Sequence, residues 1–162
     1  MLSAQDDRLP WVTWDDFEVR RHRGLLYGHQ QLISFDATES ALDWDMRDSL
    51  LLPAGLGQLR TESTSGAGLA RARLPDTVRV SFRRGGESLR LAGHAHRRDL
   101  KKLLQETDVL PWWRDRIPLL YAERKLAAVG DLWIDEQFAE RVDEPGMRVV
   151  WDGRPGMEVV AG

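Results

Sequence analysis

Short runs of alternating apolar and polar residues, closed by glycine turns, constrain the fold of this chain more than any other feature. Between Val78 and Phe82, apolar residues occupy every second position, and this period of two predicts a β-strand with one buried face. Residues 84–87 follow as a turn with two successive glycines. Alternation in residues 17–20, followed by Gly24 and a returning strand at 25–32, predicts a β-hairpin. We therefore expect short antiparallel strands.

The rest of the chain gives weaker predictions. We expect a loop at 34–48, short strands at 50–53 and 57–61 around a Pro-Ala-Gly-Leu-Gly turn, and a Gly/Ser loop at 61–68. A second hairpin is predicted from 119–121 and 126–129, and residues 148–151 are predicted to add a last edge strand. Residues 1–8 are interpreted as a disordered lead-in, 9–152 as one domain and 153–162 as a tail. We favour a single core for this domain; a separate lobe formed by residues 9–60 is the alternative.

One helix is predicted after residue 98. Asp99 can cap its N-terminus by accepting from free backbone N–H groups. Leucines at spacings of three and four define a buried stripe, and the residues between them point to solvent. A second, shorter helix is predicted after Pro111 and ends before Pro118. The buried stripe consists of Leu100, Leu103 and Leu104, the opposite face of Lys101, Lys102 and Gln105, and the short helix starts with Trp112 and Trp113.

Positive charge is concentrated in the middle of a chain whose net charge is −3. Residues 1–57 sum to −5, residues 58–130 to +7 and residues 131–162 to −5; between Val78 and Gln105 there are eight Arg or Lys against two acids. Arg dominates, and its planar fork suits phosphate. The basic loop at 93–98 also leads into a helix N-terminus, where free N–H groups attract anions. We interpret the cluster as one phosphate-binding surface; a set of solvated faces is the alternative interpretation.

The composition excludes several other classes of site. The chain has no cysteine, so disulfides and thiolate metal sites are excluded. His94 and His96 form a His-x-His pair, but zinc needs three or four ligands, and we expect these imidazoles to contact phosphate or ribose, or solvent alone. No apolar run approaches the roughly 20 residues of a membrane span, and the N-terminal residues lack an apolar signal core.

An ordered set of motifs resembles the C-terminal domain of bacterial tRNA(Ile)-lysidine synthase, over roughly residues 9–152. The resemblance is carried by Arg83-Arg84-Gly85-Gly86-Glu87, Arg90, Ala92-Gly93, Leu100-Lys101-Lys102-Leu103, Gln105-Glu106, Pro111-Trp112, Arg114-Asp115-Arg116, Pro118-Leu119-Leu120-Tyr121 and the strand 127–133. The hairpin 17–26 and the turn 52–57 resemble the residues that precede this block in the family. The chain departs from the family pattern at Leu110, Trp113, His94 and Asp99.

The resemblance implies a fold and a partner. The fold would be α+β, a mostly antiparallel β-sandwich also found in the phenylalanyl-tRNA synthetase β subunit, with one or two short helices packed on it. The partner would be the acceptor stem of a minor isoleucine tRNA, bound in the cytoplasm. Phosphate, sugar or base contacts would come from Arg83, Arg84, Arg90, His94, His96, Arg97, Arg98, Lys101, Lys102, Gln105, Arg114 and Arg116.

The resemblance also implies that catalysis and tRNA binding belong to different domains of the enzyme. The family's enzyme uses ATP, with magnesium, to join lysine to the wobble cytidine and form lysidine. Adenylation needs a pyrophosphate loop written Ser-Gly-Gly-x-Asp-Ser in this family, and residues 64–68 lack the acid and hydroxyl that would follow. We therefore expect a fragment without the N-terminal catalytic domain, with no catalytic residue, cofactor or metal of its own.

Two other functions stay open from the sequence. A protein-interaction module would dock the catalytic domain through Trp112, Trp113 and the acidic tail, and would expose an apolar patch while its bases are neutralised by acids. A small-molecule or aminoacyl-binding domain would contain a deep apolar pocket with a few converging polar groups.

Overall fold

The computed structural model describes residues 11–34, 36–154 and 158–161. Across these residues the chain forms short antiparallel strands, one α-helix and two 3-10 turns at Arg71–Arg73 and Pro111–Trp113. The elements are β1 (Trp11–Trp14), β2 (Phe17–His22), β3 (Leu25–Gln30), β4 (Leu42–Trp44), β5 (Leu50–Leu51), β6 (Gln58–Thr64), β7 (Leu69–Ala70), β8 (Val78–Ser81), β9 (Ser88–Leu89), β10 (Arg98–Asp99), α1 (Leu100–Glu106), β11 (Leu119–Ala122), β12 (Lys125–Val129), β13 (Trp133–Ile134), β14 (Gly146–Asp152) and β15 (Glu158–Ala161).

Two larger sheets enclose the core. One has the strand order β13-β12-β11-β8-β4, and the other has the order β5-β6-β14-β7. Val80 and Leu120 from the first sheet and Leu59 and Val149 from the second belong to one cluster of buried residues. Burial of these apolar groups is the main favourable term for the fold. The predicted α+β architecture, a strand-rich sandwich, is confirmed.

A smaller sheet of order β1-β2-β3-β15 packs on this sandwich through Trp112. The Trp112 indole is 6% exposed and stacks on His29 with 6.0 Å between ring centroids. Tyr27 meets the same indole edge-on at 5.9 Å, and the Arg20 guanidinium lies 5.5 Å from its centroid. The predicted hairpin is confirmed as β2 and β3, and its contacts with the rest of the molecule include this indole and an ion pair between Arg23 and Asp108 at 2.7 Å.

The helix and the strand that follow the predicted patterns are also confirmed. Val78 and Val80 of β8 are buried while Arg79 between them is exposed. In α1 the three leucines of the stripe are buried. Asp99 has extended dihedrals and its carboxylate accepts from the Lys102 N–H at 3.3 Å, as an N-cap does.

Two strand predictions are wrong, and a third is confirmed in part. Residues 148–151 form a strand that pairs with β6 and with no other strand in the described ranges, but β14 begins earlier, at Gly146, and its first two residues also pair with β7. The predicted loop at 34–48 contains β4, whose Trp44 side chain is buried. Residues 61–64 continue β6 instead of starting a loop, because they pair with β14. In each case the partner strand is distant in sequence, so local pattern could not reveal it.

The chain ends of the predicted domain fall partly outside the described residues. The lead-in at 1–8 lies outside them, as do residues 155–157 and 162. Within the stretch predicted as a tail, β15 pairs antiparallel with β3.

Candidate nucleic-acid interface

The glycine turn after β8 protrudes from the molecule. Gly85 and Gly86 have φ values of +108° and +81°, and no atom lies within 4 Å of a Cβ placed on either. These dihedrals favour glycine over residues with a Cβ. The Glu87 carboxylate folds back on the turn and accepts from the Arg84 and Gly85 N–H groups at 3.0 Å.

The start of α1 lies next to this turn. The Leu100 N–H donates to the Glu87 carbonyl oxygen at 2.9 Å. The Lys102 N–H donates to the Asp99 carboxylate, so two of the first N–H groups of the helix are already bound by acceptors of the protein itself. The side chains of Lys101 and Lys102 are exposed and form no ion pair with any residue in the described ranges.

Two shallow clefts flank the turn, and residues 85–87 line both. The first cleft, of about 380 Å³, brings together Arg83, Arg84 and Lys101. The second cleft, of about 420 Å³, brings together Arg97, Arg124 and Lys125. Arg97 was predicted as a contact residue from the sequence, but the other two bases of the second cleft were not. Two adjacent bases in a predicted hairpin turn were the available signal, but the turn is almost 40 residues from Gly86 along the chain.

Much of the predicted charge surplus is neutralised locally. Four arginines of the predicted set form ion pairs: Arg83 with Asp115 at 2.7 Å, Arg90 with Glu136 at 2.9 Å, Arg97 with Asp135 at 3.5 Å, and Arg98 with Glu106. Arg84 instead donates to the Thr38 carbonyl oxygen at 3.2 Å. Ion pairs at a protein surface contribute about 0–1 kcal/mol, so a phosphate can replace the carboxylate at little cost.

Asp135 differs from the other acidic partners because it is buried. Its carboxylate accepts from the backbone N–H groups of Arg90 and Gln137 at 2.9 and 3.0 Å. These bonds hold Asp135 in place whether or not Arg97 stays beside it. The Arg97 guanidinium is half-exposed and also donates to the Ser88 carbonyl oxygen at 2.7 Å.

The structure does not bring the whole predicted set together. Arg114 and Arg116 are half-buried and donate to the carbonyl oxygens of Val109 and Trp112 at 3.1 and 2.9 Å. Burial lowers the pKa of both guanidinium groups, and neighbouring arginines lower it further. The residues of the set that line neither cleft are Arg90, His94, His96, Arg98, Lys102, Gln105, Arg114 and Arg116.

Tyr121 lies in the second cleft and faces the turn. Burial raises the pKa of its phenol, and the nearby Glu87 carboxylate raises it further while Arg84 lowers it. The Glu87 carboxylate therefore binds the N–H groups of the turn and also raises the pKa of a phenol in the second cleft.

A third cleft, of about 590 Å³, lies between β12, β13 and β14, and its size is that of a small-molecule pocket. Most of its lining residues are apolar, polar and apolar atoms share its walls equally, and its charged lining residues are Asp131 and Arg148. Asp131 pairs with Arg154 at 3.6 Å, and Arg148 pairs with Glu62. Both charges are thus turned to neighbouring side chains of the protein.

Trp112 and Trp113, the proposed anchors of an interaction module, are both buried. The exposed apolar patch lies instead on the outer face of the small sheet. Val12 and Trp14 are each 56% exposed, and Phe17 is 37% exposed and 6.2 Å from Trp14 between ring centroids.

The described ranges also bear on membrane-spanning helices and on metal sites. No helix there is long and apolar enough to cross a membrane. No three His, Cys, Asp or Glu side chains in these ranges are grouped closely enough to hold a metal ion.

Comparison with known proteins gives consistent matches. The model of the TilS substrate C-terminal domain matches residues 78–151. The tRNA(Ile)-lysidine synthase of Coxiella burnetii (strain RSA 493 / Nine Mile phase I) is 38% identical over 149 residues, which are 92% of this chain and 33% of the relative. The enzyme of the same name from Xanthomonas campestris pv. campestris (strain 8004) is 36% identical over 154 residues, 93% of this chain and 33% of the relative. The chain thus spans about a third of the length of these curated relatives.

A solved structure supports the fold. The crystal structure of a TILS C-terminal domain superposes with a TM-score of 0.52 at 17% identity, and the match covers 75% of this chain and 99% of the other. At this level of identity the match concerns the fold.

Proposed function

Because this chain belongs to the family of C-terminal domains of tRNA(Ile)-lysidine synthase, we propose that it recognises tRNA by binding the acceptor stem of a minor isoleucine tRNA. In the whole enzyme, lysine would be joined to the wobble cytidine at the expense of ATP, with magnesium, in a catalytic domain outside this chain. The chain itself would contribute binding energy and substrate selection in the cytoplasm, without a catalytic residue.

The exposed pair Lys101 and Lys102 carries this proposal. Lys101 lines the first cleft and Lys102 follows it on α1; both side chains are exposed, and neither forms an ion pair within the described ranges. Both lysines are therefore available to a phosphate backbone. Arg83 and Arg84 in the first cleft then extend the same surface.

Duplex RNA suits a surface of this kind. Its base edges lie in a deep, narrow major groove that side chains do not enter, so proteins bind its phosphates and 2′-hydroxyls and recognise its shape. Two shallow clefts separated by a protruding turn each contain three bases, which offer phosphate contacts on either side of the turn. The deep apolar pocket that a small ligand needs is not required here.

The test is the salt dependence of RNA binding. Fluorescence anisotropy with a labelled acceptor-stem hairpin, measured from about 20 to 200 mM salt, gives a slope that reports how many phosphates the protein neutralises. The Lys101→Ala/Lys102→Ala variant is expected to reduce the slope by about 1.4–1.8, since each phosphate contact contributes about 0.7–0.9.

A matched control removes two charges elsewhere. Arg21 and Arg141 are exposed and line neither cleft, so the Arg21→Ala/Arg141→Ala variant is expected to keep the parent slope. If both double variants lower the slope equally, binding follows total charge and this surface has no special part in it. An absence of salt-dependent binding by the parent chain would refute the proposed function.

A second candidate function concerns the outer face of the small sheet. We propose that Val12, Trp14 and Phe17 dock against the part of the longer enzyme that lies outside this chain, because apolar patches at a surface mark interfaces. The relatives are about three times as long as this chain, so they contain the additional protein surface required.

Solution scattering tests the docking face. In a full-length enzyme that contains this chain, the Trp14→Ser/Phe17→Ser variant is expected to have a larger radius of gyration than the parent, because the two parts separate. The melting temperature of the isolated chain should change little, since both side chains are exposed. An unchanged radius of gyration would assign the patch no role in docking.

A further inference from the structure

Glu87 is the acidic residue shared by both basic clefts. The first cleft also contains Asp99 and Asp115, and the second also contains Asp135. Asp99 caps α1, while Asp115 and Asp135 pair with arginines. Glu87 forms no ion pair with a basic side chain in the described ranges. Its negative charge therefore stays unpaired at the divide between the two clefts, each of which also contains three bases.

Backbone donors, not bases, hold the Glu87 carboxylate. The Gly85 N–H is shared by both carboxylate oxygens, and the Arg84 N–H binds one of them. A carboxylate has about four acceptor positions, so two donors leave acceptor capacity. The side chain is only half-buried and lines both clefts, which leaves that capacity accessible to a ligand.

A phosphate does not fit at this position. The Glu87 charge repels it, and the N–H groups of the turn that would bind it are already donated to Glu87. Phosphates of a bound stem are then confined to the bases of the two clefts. The group that meets the turn between them has to be a hydrogen-bond donor, and the donor on an RNA backbone is the ribose 2′-hydroxyl.

We infer that the Glu87 carboxylate accepts a hydrogen bond from a ribose 2′-hydroxyl of the bound stem, and that this residue makes the surface specific for RNA. The inference rests on the proposed function, because it requires that the two clefts bind a nucleic-acid duplex. The open space around Gly85 and Gly86 allows a sugar to approach the turn.

The experiment compares two duplexes that differ only in whether the ribose carries a 2′-hydroxyl group. A 2′-deoxy-2′-fluoro version of the acceptor-stem duplex keeps A-form geometry and all phosphates but has no 2′-hydroxyl. The parent chain is expected to bind the hydroxyl duplex about tenfold more tightly, which corresponds to about 1.4 kcal/mol for one hydrogen bond to a charged group. In Glu87→Ala the two affinities are expected to agree within about twofold.

Glu87→Gln separates the role of this side chain as a hydrogen-bond acceptor from the role of its negative charge. Its amide oxygen can still accept, so a preference for the hydroxyl duplex is expected to remain, while both duplexes bind more tightly because a repelling charge is gone. Asp143→Asn is the matched control, since Asp143 is an exposed acid that lines neither cleft. It is expected to keep the parent preference.

The outcomes are distinguishable. If the parent chain binds neither duplex, the proposed function and this inference fail together. If it binds both with salt dependence but without preference, or if Glu87→Ala keeps the parent preference, the clefts bind nucleic acid and the role of Glu87 is refuted. Circular dichroism and thermal unfolding of each variant confirm that the comparison is made between folded proteins.

Discussion

Gly57 is the position at which a single methyl group should most clearly damage the fold. It lies at the end of the turn before β6, where the chain passes close to the end of β14. A Cβ at Gly57 would lie 2.6 Å from the Gly153 carbonyl carbon and 2.8 Å from its oxygen, and closer still to the Asp152 carbonyl oxygen. All three atoms belong to backbone, so they cannot rotate away as a side chain would.

Gly66 provides the matched comparison. Its φ is +90°, close to the +79° of Gly57, but no atom lies within 4 Å of a Cβ placed on it. Alanine at either position costs about 1–2 kcal/mol for the left-handed conformation. Alanine at Gly57 adds overpacking against backbone, which costs about 1–3 kcal/mol. We therefore expect Gly57→Ala to lower the free energy of unfolding by about 1–3 kcal/mol more than Gly66→Ala does.

Urea unfolding followed by tryptophan fluorescence measures this difference. Seven tryptophans, among them the buried Trp151 of β14, provide the signal. A difference of this size corresponds to about 2–12 °C in melting temperature for a domain of this length. Equal destabilisation by the two substitutions would refute the close approach of the two chain segments.

Three further predictions concern single side chains. Trp112→Ala should lower the free energy of unfolding by about 3–5 kcal/mol, whereas Trp14→Ala should change it by less than about 0.5 kcal/mol; equal effects in denaturant titrations would contradict the burial of one indole and the exposure of the other. Glu140→Gln should destabilise the protein at neutral pH, because backbone N–H groups and a hydroxyl lower the pKa of this carboxyl. The stabilisation by the ionised carboxylate is fully present above the unfolded pKa of about 4.3 and is lost as the pH falls through the lower folded pKa, so the melting temperatures of parent and variant should approach each other only below about pH 4.3. Glu106→Gln should release Arg98 and strengthen binding of an acceptor-stem duplex at low salt by up to about fivefold, and anisotropy titrations that show weaker binding would count against a role for this arginine.

The sequence pattern predicted the elements whose partners are local. The alternation around Val80, the leucine stripe of α1 and the Asp99 cap all depend on residues within a few positions of one another, and each is confirmed. The position of β14 was not predictable in this way. Its partner strand β6 lies more than 80 residues earlier, and the pairing of its first two residues with β7 also depends on residues far away in the sequence.

In the candidate site, too, contacts between residues close in sequence could be predicted and contacts between distant residues could not. The juxtaposition of the glycine turn with α1 followed from residues close in sequence. The ion pairs did not, because Arg90 and Arg97 meet acids about 40 residues away. Counting charges along the chain therefore overstated the free positive charge of this surface, and it missed Arg124 and Lys125, which reach the second cleft from another hairpin.

The central place of β14 has a consequence for how the protein is made. On the ribosome, residues 58–64 emerge long before residues 146–152, so β6 stays without its main hydrogen-bonding neighbour until translation of the domain is nearly complete. An unpaired strand of this kind can join strands of other chains. A nascent chain stopped before residue 146 would display that edge permanently, which makes truncated products of this gene candidates for aggregation and for clearance by chaperones and proteases.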